Sequence, residues 1–468
     1  MKRWLVVFAA GLAALMGSSA GAQTSAPAAH VVTGPDERVK ADILVVVAHP
    51  DDEGGVTPYL ARAIYDQHKR VAVVYTTRGG SGGNDYSREH GPALADIREQ
   101  EARQACAKLG ITNVWFLDGK DTASQNVLNS LANWGHGANL EALVRIVRLT
   151  RPEVIISWLP GIFIGENHGD HQASGVLATE AFDMAGEPAT FPAQVAGASK
   201  RLEIYLENLT PWRATKLYFF SDADDQKQFA GSGPAYSIRE VSSSQEKPYW
   251  RLAMDAAMPH LTQFPEDIQH FSKMSDDELN KMMSDPNAGW WPEPMTLIFG
   301  KAAIPTERTA DVFAQARPRE NQATGTAGSQ LTSIPTAQLA GPWSFYQEFR
   351  RRHGLTDVPE AKMPEIAMKA GATLSVPIVI SHLAKTGDVV NVTVTAPNGW
   401  KVMNGAGRLR LPAENLTALN VEIATPEVGK DELKNAKPVE IVVGVSDDRM
   451  TPSEVRLRVL LKTSALPQ

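Results

Sequence analysis

Hydrophobic and polar positions divide the chain into two regimes. From Asp42 to about Phe220, apolar runs of strand length alternate with amphipathic stretches of helical period. Ile43–Ala48, Val71–Thr76, Val114–Leu117, Val154–Trp158 and Leu217–Phe220 predict strands. Pro58–Lys69, Ile97–Leu109 and Leu140–Leu149 predict helices between them, the second closed by Gly110 as a C-cap. Strand–helix alternation implies an α/β fold, a mostly parallel sheet with helices on both faces. From about Gly371 the pattern changes to short β-rich segments with turn signals between them. Thr373–Ile380, Val389–Thr395, Ala418–Ile423, Val439–Val445 and Val455–Leu461 predict a C-terminal β-sandwich. Between the two regimes, Pro305–Gly341 is rich in Pro, Thr, Ala, Gly and Gln and reads as a linker. A short amphipathic segment, Trp343–His353, leads from it into the sandwich. No internal repeat is seen.

The N-terminus changes the picture of where the protein works. Lys2 and Arg3 precede an apolar run from Trp4 to Met16, and small residues follow up to Ala20-Gly21-Ala22. That is the layout of a signal peptide cleaved before Gln23, so a secreted or periplasmic protein is expected. The run is shorter than the roughly 20 apolar residues a membrane span needs. No cysteine lies near the cleavage site, and no amphipathic membrane helix is evident, so no stable membrane anchor is expected. The expected organisation is residues 1–22 as signal peptide, 23–303 as catalytic domain, 304–360 as linker and short helical connection, and 361–468 as sandwich. The single cysteine, Cys106, excludes an intrachain disulfide, so stability must come from the buried core. Cys106 lies in a helical pattern beside Ala105 and Ala107, which suits a core residue rather than a nucleophile. Acidic residues outnumber basic ones, 53 to 46, for a net charge of −7, and no basic run stands out. A protein that tracks nucleic-acid phosphates is therefore not expected.

The chemistry concentrates where the first and fourth strands end. Ala48-His49-Pro50-Asp51-Asp52-Glu53 follows the first strand directly, and His168-Gly169-Asp170-His171 lies in the loop after Val154–Trp158. Residues at the carboxyl ends of parallel strands line the ligand crevice, so both loops fall on one edge of the sheet and can converge. Two His and one carboxylate with an open position form the ligand set of a hydrolytic zinc site. A second ligand set, which a two-metal phosphoesterase would want, is not found in the sequence.

These residues closely resemble those of the PIG-L/LmbE-like zinc deacetylases, enzymes that remove acetyl groups from N-acetylglucosaminyl lipids and thiol-cofactor precursors. The resemblance covers roughly Asp42–Gln263. It is supported by Thr77-Arg78-Gly79 after the second strand, Arg98-x-x-Glu101 opening a helix, Asp121 after the third strand and His260-Leu261-Thr262-Gln263 further on. It implies a Rossmann-like sheet, and His49, Asp52 and His171 as ligands of Zn2+, or of another first-row metal such as Fe2+. It further implies Asp51 as the general base on a zinc-bound water, and His168 as a protonated donor to the oxyanion, with Asp170 orienting it. Arg98 and Asp121 correspond to the family's substrate-binding pair. For Arg98 an ordinary helix pair with Glu101 is the competing reading, and Arg78 fits either the site or a loop clamp. Glu53 fits a buried partner as well as any catalytic part.

The function this implies is removal of the N-acetyl group from an N-acetylated amino sugar, glycan or glycoconjugate. The alternatives are a metal-dependent phosphoesterase or other hydrolase on the same scaffold, and a glycan-binding protein without turnover. Gly79-Gly80-Ser81-Gly82-Gly83-Asn84 lacks the spacing of a dinucleotide site and the Lys-Ser/Thr of a P-loop, and reads as a flexible loop at the site rim. Trp134 and His136 read as parts of a surface loop, and Trp290-Trp291-Pro292 as either a sugar platform or packing. Ala396-Pro397-Asn398-Gly399-Trp400 resembles a turn of the Ig-like modules appended to secreted glycosidases, with Trp400 expected in the sandwich core.

Overall fold

In the computed structural model, the described residues are 37–165, 168–196, 207–285, 290–314, 334–361, 363–382, 384–413, 415–434, 436–447 and 452–463. The signal-peptide segment 1–22 and residues 315–333 of the expected linker lie outside them.

Five parallel strands build the first sheet: β1 (Ile43–Val47), β2 (Val71–Thr77), β3 (Asn113–Gly119), β4 (Val154–Trp158) and β5 (Lys216–Phe220). The strand Ile298–Ala302 closes one edge antiparallel to β5. The order across the sheet is β3-β2-β1-β4-β5 and then Ile298–Ala302. The fold is thus the α/β, mostly parallel sheet that the strand–helix alternation predicts. Every residue of β1, β2, β4 and β5 is buried, because helices cover both faces. Each Val or Ile so placed contributes about 1.5–3 kcal/mol relative to exposure. The helices are α1 (Thr57–Tyr65), α2 (Pro92–Lys108), α3 (Val127–Trp134), α4 (His136–Thr150) and α5 (Gly169–Met184). α3, α4 and α5 pack on one face with Val46, Ala48 and Ile155, and α1 and α2 pack on the other with Val45, Val47 and Ile156.

This strand order decides where a site can form. The chain winds outward from β1 through β2 to β3, then returns so that β4 pairs with β1 on its other side. Ligands bind at such a reversal, outside the carboxyl ends of the strands. The loops after β1 and β4 are therefore neighbours.

Among the described residues, nine strands form the two layers of the C-terminal sandwich. One sheet has the strands Glu365–Lys369, Ser453–Lys462, Val439–Ser446, Asp388–Thr395 and Gly407–Leu411; the other has Lys401–Asn404, Asn415–Ala424, Thr373–His382 and Thr336–Leu339. Alternate residues of Thr373–His382 turn inward, so Leu374, Val376, Ile378 and Ile380 meet Val443, Leu457 and Val459 in one core. Trp400 is partly buried against that core. The chain joins this sandwich earlier than the composition suggests. Thr336–Leu339, inside the stretch read as linker, pairs with Ile378–Ser381. The helix Pro342–Arg352 that follows belongs to the first module's core, through Tyr346 and Phe349 beside Ala173, Val176 and Leu177. Low hydrophobicity hid the strand because it is short and stands at an edge, where only one side chain in two needs to be apolar. Among the described residues, no helix is long and apolar enough to cross a membrane.

Candidate metal centre and active site

β1 ends at Val47, and the chain turns through His49-Pro50 into a short 3-10 segment, Asp52–Val56. The turn is fixed by the Asp52 carboxylate. Its Oδ2 accepts from the backbone N–H of Ala48 (2.9 Å) and of His49 (2.8 Å), and from Trp158 Nε1 (2.8 Å) at the end of β4. Three donors on one oxygen set the carboxylate's rotation. The other oxygen, Oδ1, then lies 3.5 Å from His49 Nδ1 and 3.3 Å from His171 Nε2. The ligand atoms of His49, Asp52 and His171 all lie within 4.8 Å of one another. His171 comes from the first turn of α5, and its ring stacks on Trp158 with centroids 4.2 Å apart and planes 1° from parallel. Two imidazole nitrogens and one oriented carboxylate oxygen, all from buried or half-buried side chains, fit a first-row divalent ion.

His49, His168 and Asp170 form a second, overlapping set within the same distance. The sequence reading, which found no second set, is corrected to that extent. The two sets share His49, and Asp170 is already committed. Its Oδ2 accepts from Thr122 N–H (2.7 Å) and lies 3.3 Å from His49 Nε2, while its Oδ1 accepts from Thr122 Oγ1 (3.0 Å). Asp170 is fully buried and serves as the partner of a ligand histidine, fixing the His49 ring with Nδ1 toward Asp52. This differs from the expected contact. The carboxylate of Asp170 meets His49, and only its backbone N–H meets His168, donating to His168 Nδ1 at 3.1 Å.

That bond also bears on the charge of His168. An Nδ1 that accepts is unprotonated, so the ring's hydrogen sits on Nε2. Burial, together with the neighbouring His171 and His49, lowers the His168 pKa to about 3, against the opposing pull of Asp170 and Asp52. The expectation of an imidazolium is therefore replaced by a neutral donor. The N-terminal turn of α5 that presents it needs Gly169, because a Cβ there would stand 2.8 Å from Ser124 O and Ser130 Oγ. For His49 the balance runs the other way. Burial disfavours its charge, but Asp52 and Asp170 outweigh that and raise it to about 9 in the metal-free protein. Asp52 is held well below the usual carboxylate range by His171 and His49, although burial opposes this.

Asp51 stands beside the cluster without belonging to it. Its Oδ1 accepts from Arg98 Nη2 at 2.8 Å, and Arg98 Nη1 donates to Gly79 O at 3.1 Å. Arg98 is only 3% exposed, so it holds Asp51 and the loop rather than offering its guanidinium to a sugar. Gly79 has φ +70°, and a Cβ there would lie 2.7 Å from that guanidinium. Neither reading of Arg98 from sequence describes this, since Glu101 turns instead to Thr262. Arg78 pairs with Asp96 (2.5 Å) and Glu99 (2.9 Å) on α2, which is the geometry of a loop clamp. Asp121 accepts from Ser81 N–H at 2.8 Å and ties the end of β3 to the Gly-rich loop. Glu53 is buried against His260, Oε1 to Nε2 at 2.7 Å. His260, 1% exposed and so engaged, is not placed to serve as a base.

Thr122 and Trp158 were not singled out in the sequence. Trp158 carries a signal: it is the last residue of the strand after which the second motif follows. Thr122 carries none beyond adjoining Asp121. Trp134 is buried at the end of α3, and His136 opens α4 and pairs with Glu180, so neither lies in an exposed loop. Trp291 packs under the site, donating Nε1–H to Gly54 O at 2.6 Å, while Trp290 is 38% exposed.

Comparison with known proteins supports a kinship that this geometry suggests. Residues 44–182 match the family model described as PIG-L, GlcNAc-PI de-N-acetylase. Two proteins of Frankia casuarinae, 1D-myo-inositol 2-acetamido-2-deoxy-alpha-D-glucopyranoside deacetylases 1 and 2, are 32% and 30% identical to this chain. Each match covers 48% of this chain, and they cover 69% and 79% of the relatives. The corresponding deacetylase 1 of Frankia alni is 32% identical over 36% of this chain, which spans 59% of that relative's length. Among solved structures, an N,N'-diacetylchitobiose deacetylase from Pyrococcus horikoshii aligns at TM-score 0.38 and 20% identity, covering 55% of this chain and 84% of that one, a likeness too slight to argue from. On the sequence matches, the chain belongs to the PIG-L family of hydrolytic de-N-acetylases.

Proposed function

We propose that the protein is an exported, zinc-dependent hydrolase that removes the acetyl group from the nitrogen of a 2-acetamido sugar. The observation that carries this reading is the division of labour between Asp51 and Asp52. Asp52 is turned by three donors toward two histidines, while Asp51 is held on Arg98 and kept off the cluster. A binding protein has no use for a second carboxylate so placed; a hydrolase needs it as a base.

His49, Asp52 and His171 would hold the ion. When bound, the ion supplies a Lewis acid that polarises the amide carbonyl and acidifies the attacking water. Asp51 takes that water's proton and returns it to the departing amine nitrogen. Its bond to Arg98 occupies one oxygen and leaves the other to take the proton. His168 donates Nε2–H to the carbonyl oxygen as charge develops there. A neutral donor fixed by the Asp170 N–H is suited to this, because it needs no proton uptake at working pH. Asp170 and Thr122 keep the His49 ring from turning. Export is supported by the Lys2-Arg3 and Ala20-Gly21-Ala22 pattern. The group shared by the relatives' names is a 2-acetamido-2-deoxy-glucopyranoside, and the exported location favours wall or environmental glycans as its bearers. The test is acetate release from small N-acetyl sugars, chitooligosaccharides and wall fragments, with and without chelation. Acetate that appears only with metal present supports the reading, and phosphate release from phosphoesters without acetate release would replace it.

A further inference from the structure

The His260-Leu261-Thr262-Gln263 turn lies beyond residues 44–182, the span that the family model matches, and the mechanism above leaves it unused. Yet it touches all three segments that surround Asp51. His260 Nε2 is 2.7 Å from Glu53 Oε1 on the 3-10 segment. Gln263 Nε2 donates to Gly83 O (3.0 Å), and Thr262 O accepts from Asp85 N–H (3.0 Å), both on the Gly-rich loop. Thr262 takes both oxygens of Glu101 on α2, its N–H donating to Oε1 at 3.0 Å and its hydroxyl to Oε2 at 2.6 Å. Thr262 and Glu101 are both buried.

Glu101 is three residues from Arg98, so both side chains leave the same face of α2. One carboxylate is anchored to the turn, and one guanidinium reaches Asp51 and Gly79. A buried carboxylate that loses its strongest donor must regain one or move toward water. Arg98 has little freedom to absorb such a shift, since idealised Cβ positions on Gly79 and Gly82 both come within 2.7 Å of it. Displacement of α2 is therefore passed to the Arg98–Asp51 bond. We propose that Thr262 is a positioning residue for the general base, acting through Glu101 and Arg98 to aim Asp51. This rests on the deacetylase reading of the site.

The test is a double-mutant cycle on acetate release in the full chain. Thr262→Val keeps the shape and removes the hydroxyl. It should lower kcat about tenfold, leaving KM within about twofold and metal content unchanged, as expected when only positioning is lost. Thr262→Ser, which restores the hydroxyl, should recover most of the loss. In an Arg98→Ala background, Thr262→Val should cost little further, because the route to Asp51 is already cut. Glu101→Gln takes the place of Thr262→Val in the cycle if the valine variant does not fold. Additive losses, a kcat within twofold of wild type, or no recovery with serine would overturn the role. An active wild type with a normal Thr262→Val overturns this role alone, whereas a wild type that releases no acetate overturns the deacetylase reading and the role with it.

Discussion

Trp158→Phe should weaken metal binding without removing a ligand. The indole Nε1–H is one of three donors on Asp52 Oδ2, and its ring lies flat on His171. Phenylalanine keeps an aromatic face against His171 but deletes the donor. The Ala48 and His49 N–H groups remain at 2.9 and 2.8 Å, so the carboxylate keeps its general direction and loses part of its restraint. A hydrogen bond to a charged group contributes about 1.5–3 kcal/mol. That matches the 10–100-fold loss of metal affinity typical when a ligand's supporting partner is removed. The assay is competition for zinc against a chelating indicator, with turnover measured separately at saturating metal. Affinity should fall by roughly 10–100-fold, while saturated turnover stays close to wild type. An affinity within twofold of wild type would show that Asp52 does not owe its orientation to Trp158, and the account of the centre's construction would fail.

His168→Ala should cut turnover by about 10²–10³-fold, the usual loss for one oxyanion donor, with metal content unchanged. Burial, with His171 and His49 beside it, lowers the His168 pKa in the metal-free protein, so the basic limb of the pH–rate profile should survive in that variant; its disappearance would restore the imidazolium reading. His136→Ala tests a structural pair by its pH dependence. The hydrogen bond to Glu180 raises the His136 pKa, and burial opposes it less strongly. The pair's stabilisation is thus complete below the unfolded value of about 6.5 and is lost as pH rises through the folded value. The variant's melting temperature should trail wild type at pH 6 and converge with it at high pH. The side chain is 38% exposed, so the deficit should stay below about 1 kcal/mol.

The five parallel strands of the first sheet were legible because each carries an apolar run set among helical patterns, whereas the edge strand Ile298–Ala302 was not predicted. Both metal motifs were legible because each follows such a strand, and β1–β4 pairing brings them together. What the sequence did not show depends on contacts across the fold. Asp170 lies next to His171 and two residues from His168, yet its carboxylate reaches back to His49. The neutral state of His168 comes from burial beside two other histidines, which no local spacing reveals. Arg98 looks from its spacing like a helix partner of Glu101, but each side chain finds a separate distant partner. α3 is short, eight residues, and its apolar positions stand between polar and Gly-containing flanks, so no helical period could be read over it. Asn126 supplies its start by accepting from Leu128 N–H, and Gly135 its end in the left-handed region.

The most direct test of the central claim is to measure metal content and acetate release on the same samples of wild type and Asp51→Asn. An amide can still accept the Arg98 N–H at its oxygen, but it cannot take a proton from water. The account predicts about one ion per chain in both proteins and a loss of roughly 10²–10⁴-fold in turnover for the variant, the usual range for general-base removal. Equal turnover with equal metal would place the base elsewhere, and loss of metal along with activity would make Asp51 part of the centre it is proposed to serve.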